Sequence, residues 1–438
     1  MSEIGYYLSR VSPAINFGLG RCFGALKSGL HMSVIPASQA KRLLIPNPQI
    51  GVVVAAVAGI VLLAVSIGQT ASANLVLLFL TGTFLGIALY HAAFGFTSAF
   101  RLLLADGRSA GLRAQLVMLG LACVLFFPAL GAGSLFGHPV TGNVSPAGTS
   151  VLVGAFLFGI GMQMGGGCAS GTLFAAGGGS TRMFVTLFFF VVGSVFGIAH
   201  LGWWQVQPGL PPISMVLSLG WPGALALNLA VFLLVWLAVA KIERVRHGYV
   251  EPIGTINGSG LRLAFTGPWP LVWGAIALAV ANFLTLYLAG RPWGVTSAFG
   301  HWGGKTLQTV GVAVADWPSW AGAAQQRALA TPVLADITSV MDFGIMLGAL
   351  LAAGLAAKYS PGWRIPLPHL AASILGGLLL GYGARLAYGC NIGAFFSGIA
   401  SGSLHGWLWI VAALAGNWVG LFVRPWFDLP VERRQTAC

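Results

Sequence analysis

The chain has 438 residues, of which 57% are hydrophobic and only 7% charged. A soluble domain has roughly a quarter of its residues charged, so this chain cannot cover a soluble surface and reads as an all-α, multi-pass integral membrane protein. The net charge of +13 would suggest a nucleic-acid partner in a soluble protein; here it reads as basic loops that set orientation in the lipid bilayer, and no nucleic acid is expected.

Residues 1–48 are mixed and basic, without the apolar core and cleavage site of a signal peptide, and read as a cytoplasmic leader. Ten apolar runs then approach the roughly 20 residues that span a hydrocarbon core, at 50–68, 73–94, 114–136, 149–165, 183–202, 222–241, 269–289, 340–357, 368–386 and 407–424. If the N-terminus is cytoplasmic, the inside segments hold 18 of the 22 basic residues. The outside segments hold only Arg291, Lys305, Arg327 and Arg385. Both termini are therefore expected on the cytoplasmic side.

Two motifs recur in the same order. Gly95-Phe-Thr-Ser-Ala-Phe100 returns as Gly294-Val-Thr-Ser-Ala-Phe299, and Gly167-Cys168-x-x-Gly171-x-x-Phe174 as Gly389-Cys390-x-x-Gly393-x-x-Phe396. Gly159 and Gly161 fall on Gly381 and Gly383 at the same offset as the second pair. Five spans separate the copies, so the halves must be inverted. The chain divides into an extra N-terminal helix (49–72), a first inverted repeat (73–205), a linking helix and basic loop (206–265), a second inverted repeat (266–426) and a cytoplasmic tail (427–438). Inverted halves with Gly-rich re-entrant segments are typical of secondary transporters, whose site lies near the midplane.

Non-helical backbone at membrane depth is tolerated where protein or a water-filled cavity surrounds it. The N-terminus of a broken helix offers free N–H groups to an anion. Thr97, Ser98, Thr296 and Ser297 stand where hydroxyls cap such a helix or face an anion. Cys168 and Cys390 add soft, polarizable sulfur, and an oxyanion with a terminal sulfur, such as thiosulfate, suits both kinds of donor. Arg385 stands at the position matching Gln163 and could draw an anion inward, or merely reach the outer interface. Arg101, Arg182 and Lys305 read as topology or headgroup residues, Cys123 as packing, and Asp342 as a cap at the start of its span. The acids look too few and peripheral for a proton relay. The five cysteines include no C-x-x-C pair and the eight histidines no metal-ligand spacing, so no metal or cofactor is expected.

At Gly165-Gly-Gly167-Cys168-Ala-Ser-Gly171 and Ala384-Arg385-Leu-Ala-Tyr-Gly389-Cys390-Asn391-Ile-Gly393-Ala-Phe-Phe-Ser-Gly398, the chain resembles the YeeE/YedE family of sulfur transporters, over roughly residues 73–425. Trp302-Gly-Gly-Lys305 and Ser403-Leu-His405-Gly-Trp407 look most like its longer YedE-type members. The resemblance implies nine membrane helices with short inward-pointing helices in pseudo-symmetric halves, and a permease of the bacterial cytoplasmic (inner) membrane rather than an enzyme. It implies uptake of a small sulfur-containing anion, thiosulfate first, past the thiols of Cys168 and Cys390. Gly167, Gly389, Gly171, Gly393 and Asn391 belong to the same substrate-binding segments. A third thiol is implied in the first inward segment, where this chain has Thr97-Ser98. Some YedE-type relatives are associated with selenium, so another soft sulfur or selenium species stays open. So do an intramembrane sulfurtransferase or thiol-redox component and a cytoplasmic sulfur-carrier partner.

Overall fold

The computed structural model describes residues 47–255 and 262–431. Cys22, Cys438 and nearly all of the basic leader lie outside them. Among the described residues ten helices are long and apolar enough to cross a membrane. The only strands described are two-residue pairs, Ser134–Leu135 with His138–Pro139 and Ala147–Gly148 with Gly209–Leu210.

Apart from the short helices Arg262–Thr266 and Ala323–Ala330, the helices in chain order are α1 (Ile50–Thr70), α2 (Ala73–His91), α3 (Phe96–Asp106), α4 (Ala110–Ala132), α5 (Thr149–Gly165), α6 (Ala169–Gly177) and α7 (Thr181–Gln205). They continue as α8 (Met215–His247), α9 (Leu271–Ala289), α10 (Thr296–Thr309), α11 (Ile337–Leu355), α12 (Leu367–Leu386) and α13 (Leu404–Val423). A wide π turn (Asn391–Phe396) and one α turn (Ser397–Ala400) stand between α12 and α13. The recurring motifs thus form short elements: α3 and α10 for the Thr-Ser-Ala-Phe copies, α6 and the π turn for the cysteine copies.

Some limits differ from the sequence expectation, for local reasons. α8 counts from Met215, but Gly220 (φ 70°, ψ 152°) is non-helical and divides a short first segment from the long helix, which starts next to Pro222 as the sequence suggests. α11 begins at Ile337, where the Asp336 carboxylate accepts from the Ser339 N–H. Asp336 is therefore the cap. Asp342 lies inside the helix and is fully buried, which corrects both the capping role and the view of the acids as peripheral.

Glycine sets how the helices cross. Gly82 and Gly86 of α2 lie on the carbonyls of Met341 and Ile345, while Gly344 and Gly348 of α11 lie on those of Phe79 and Thr83. Two GxxxG faces thus meet backbone to backbone, which holds helices where lipid supplies no hydrophobic drive. The register climbs together on both, so α2 and α11 are parallel. α5 and α12 cross as closely but antiparallel. A Cβ on Gly161 would stand 2.9 Å from the Gly376 oxygen and the Leu380 nitrogen, and Gly383 faces Gly154 and Phe158. The offset that aligns the cysteine motifs carries Gly161 onto Gly383, Gly154 onto Gly376 and Phe158 onto Leu380. The contact is reproduced with the two helices exchanged. α13 lies on α5 through Gly159 and Gly416, as α7 lies on α12 through Gly381 and Gly193. α1 stays peripheral, with Val54, Val61 and Leu62 exposed and Ile67 packed on Phe79 and Val340.

Candidate functional site: two buried cysteine turns

The end of α5 is pinned before its glycine turn. Arg182 donates to the carbonyl of Met164 (2.6 Å) and to Ser373 (2.8 Å), and Arg424 donates to the carbonyl of Gln163 (2.6 Å). Cations at the carbonyl end of a helix satisfy its unpaired acceptors. Arg182 therefore serves the scaffold, not headgroups. Lys305 likewise donates to the carbonyls of Leu329 and Thr331, and Arg101 is buried on α3. Gly166 then takes φ 86° and reverses the chain.

Cys168 follows as the N-cap of α6, in extended conformation. Its sulfur accepts from the Gly171 N–H (3.4 Å) and shares a hydrogen bond with Ser170 (3.4 Å). Cys390 repeats this backbone at φ −101°, ψ −166°, as the N-cap of the π turn. Unlike that of Cys168, its sulfur accepts no capping hydrogen bond. Gly389 reaches φ 148°, and a Cβ there would stand 2.7 Å from the Ala394 nitrogen; glycine is what lets the turn close. Both thiols are shut off from solvent, at 1% and 0% exposure. They lie within electrostatic reach of each other, and α6 packs on the π turn.

Space and orphaned polar groups collect here. Gly393 is buried, yet a Cβ on it would find no heavy atom within 4 Å beyond its own turn's adjacent chain; on Gly171 it would likewise meet only the Cys168 sulfur, at 3.4 Å. Both amide atoms of buried Asn391 lack a partner, as do the Thr97 hydroxyl, the Gln163 amide oxygen, Nε and Nη2 of Arg385, and both oxygens of Asp342. Leaving one buried polar group unpaired costs about 1–3 kcal/mol, so several in one interior mark a place built to meet something polar.

The other expected residues divide. Thr97 joins the site: its carbonyl accepts from the Gln163 amide (3.3 Å), and its neighbours Phe96 and Phe100 each pack edge-on against Phe395, at 6.4 Å. Ser98 donates to the Gly95 carbonyl (3.1 Å), and Ser297 donates to Thr338 (2.9 Å), which also accepts from Arg291 (3.1 Å). Those two hydroxyls hold scaffold. Thr296 is buried in the first turn of α10. None of the four caps a helix: the caps are Gly95 and Val295, without side-chain bonds. Cys123 packs as expected, its thiol 3.8 Å from the Ile399 carbonyl.

Gln163 and Arg385 are structural counterparts. A Cβ on Gly420 would stand 2.8 Å from Gln163 Cβ, and one on Gly197 2.7 Å from Arg385 Cβ. The Gln163 amide nitrogen is spent on Asn417 (2.6 Å), whereas Ser194, the match to Asn417, has no partner and Arg385 keeps free N–H groups. The guanidinium carbon would be 3.0 Å from a Cβ on Gly300, so Arg385 overhangs the second Thr-Ser-Ala-Phe helix. Its Nε and Nη2 are shut off from solvent, while the residue as a whole is half-buried.

Three contributors had escaped the sequence reading. Asn143 donates to the Gly393 carbonyl (2.7 Å) from a loop. Asn282 donates to Ser397 (3.2 Å) and accepts from the Trp293 N–H (2.8 Å), tying α9 and the entry to α10 onto the cysteine segment. Asp342 is the third. For Asn282 and Asp342 the available signal was a polar residue inside an apolar run; Asn143 lies in a loop and offered none.

Fold and site together define a multi-pass helical membrane protein with a closed, thiol-bearing interior. Residues 91–419 match the family described as Sulphur transport, and the chain belongs to that family. It is 35% identical over 179 residues to "Probable transporter YedE" of Escherichia coli (strain K12), a match covering 40% of this chain and only 42% of that protein. It is 28% identical over 360 residues to "Thiosulfate transporter TsuA" of Spirochaeta thermophila, covering 77% of this chain and 96% of that protein. The protein of the same name from Escherichia coli (strain K12) is 24% identical over 361 residues, covering 78% and 94%.

Proposed function

We propose that this protein is an inner-membrane permease for a small sulfur-containing anion, thiosulfate above all, with both described ends of its helical body on the cytoplasmic side. Residues 73–205 and 266–426 act as inverted repeats, and the antiparallel exchange between α5 and α12 supports that reading. The observation that carries it is the pair of buried, matched thiols beside open space and orphaned donors. A dianion moved bare into hydrocarbon would cost tens of kcal/mol. Arg385, the Asn391 amide and the Thr97 hydroxyl offset that cost at the oxygens, and Cys390 and Cys168 take the soft sulfur in succession through S–H contacts. Thr97 stands where relatives with a third thiol would offer sulfur.

The test is growth of a sulfur auxotroph on thiosulfate, together with uptake of labelled thiosulfate by proteoliposomes. Cys390→Ala and Cys168→Ala are each expected to abolish both while the protein stays folded. If both variants transport as the parent does, the thiol path is wrong.

A further inference from the structure

Among the described residues, Asp342 is the buried acid with both oxygens unpartnered, and the path above leaves it unused. It sits on α11 one turn inward of Thr338, which binds Ser297 and Arg291. Its carboxyl group is wholly buried and neither oxygen has a partner. It lies within electrostatic reach of Cys390, as Cys168 does. Its helix also packs along α6, which Cys168 caps, so a carboxyl and a thiol lie on neighbouring elements beside Cys390.

The other titratable groups around α11 are occupied or distant. α1 offers none. α2 has Tyr90 and His91, two turns further along. α6 adds only the Cys168 thiol at its cap. α10 has His301, 3.9 Å from Asp336, and Lys305, held by two carbonyls. Asp336 itself is spent on capping Ser339. No cation among these is bonded to Asp342.

An unpaired carboxylate at that depth is far costlier than the carboxylic acid. It would also repel an anion arriving at Cys390, whereas the acid can donate a hydrogen bond to it. Anion and proton must then favour each other's binding, and that linkage is reciprocal. Resting on the reading that an anion passes Cys390, we infer that Asp342 carries a proton with each anion, which makes the protein a proton–anion symporter. The proton is taken from water on the entry side and released to water on the exit side, with no other bond made or broken.

The experiment uses the full-length protein in liposomes, labelled thiosulfate, and the membrane potential held at zero by potassium and valinomycin. With one proton per anion, one pH unit (acid on the entry side) drives roughly tenfold accumulation of thiosulfate. Asp342→Asn is expected to lower that ratio to one, and Asp342→Glu to restore it in part. Wild-type protein that equilibrates thiosulfate without accumulating it overturns the inference, whatever the variants do. So does Asp342→Asn that still accumulates tenfold, or accumulation that follows sodium and ignores pH. Wild-type protein that does not even exchange labelled for unlabelled thiosulfate, without any gradient, removes the transport reading itself and the coupling with it.

Discussion

Gly393→Ala separates the path from the scaffold, because the two readings give effects of opposite sign. Gly393 is buried in the π turn beside Cys390, yet an added methyl would have no heavy atom within 4 Å beyond its own turn's adjacent chain. Its φ is not in the left-handed region. As pure structure, then, Gly→Ala at a compatible position stabilises by about 0.4–1 kcal/mol through the unfolded chain. If that space admits the anion, the methyl instead intrudes on a fitted contact. Overpacking costs about 1–3 kcal/mol, a roughly five- to hundredfold loss of affinity. The assay pairs thermal unfolding in detergent with thiosulfate uptake in liposomes. The expected result is a melting temperature equal to or above that of the parent, with uptake cut at least fivefold. Gly161→Ala is the control, since its Cβ would stand 2.9 Å from backbone atoms of α12 and should lower stability. Gly393→Ala with unchanged melting and unchanged uptake would falsify the claim that the substrate occupies that space.

Arg385→Gln gives the second half the residue that Gln163 supplies in the first. Loss of a charge-assisted hydrogen bond worth about 1.5–3 kcal/mol should raise KM for thiosulfate roughly ten- to hundredfold, and an unchanged KM would take Arg385 off the path. Arg113 and Glu243 form an almost fully buried pair at 3.3 Å, clamped further by Ser109, which donates to the Glu243 carboxylate. Arg113→Met is expected to destabilise by about 3–5 kcal/mol, read as early thermal unfolding, and Arg113→Met with Glu243→Leu should recover much of the loss.

Much of the fold was legible because lipid imposes few options. Long apolar runs must be helices, and parity of the spans fixed which helices run together. The close contacts agree: α2 with α11 and α7 with α12 climb together, while α5 and α12 oppose. The cysteines were legible through their recurrence. Residues whose role depends on what stands opposite were not. Asp342 and Asp336 look alike in sequence, and only the position of the Ser339 N–H decides which one caps. Arg182 and Arg385 are both lone arginines near apolar runs, but one finds the Met164 carbonyl and the other finds no acceptor. Ser98 and Thr97 are neighbours on α3, and the helix turn alone sends one hydroxyl back to Gly95 and leaves the other unanswered.

The difference between Gln163 on Gly420 and Arg385 on Gly197 has a thermodynamic consequence. On the proposed path, two matching doorways, one furnished with a cation and one with an amide nitrogen already engaged, would let an anion enter and leave at unequal speeds. Unequal speeds cannot by themselves set the final ratio of concentrations, because every stronger hold on the way in is equally a stronger hold on the way out. The arginine can shape how fast the interior fills. Any uphill delivery has to draw on a second solute moving down its own gradient.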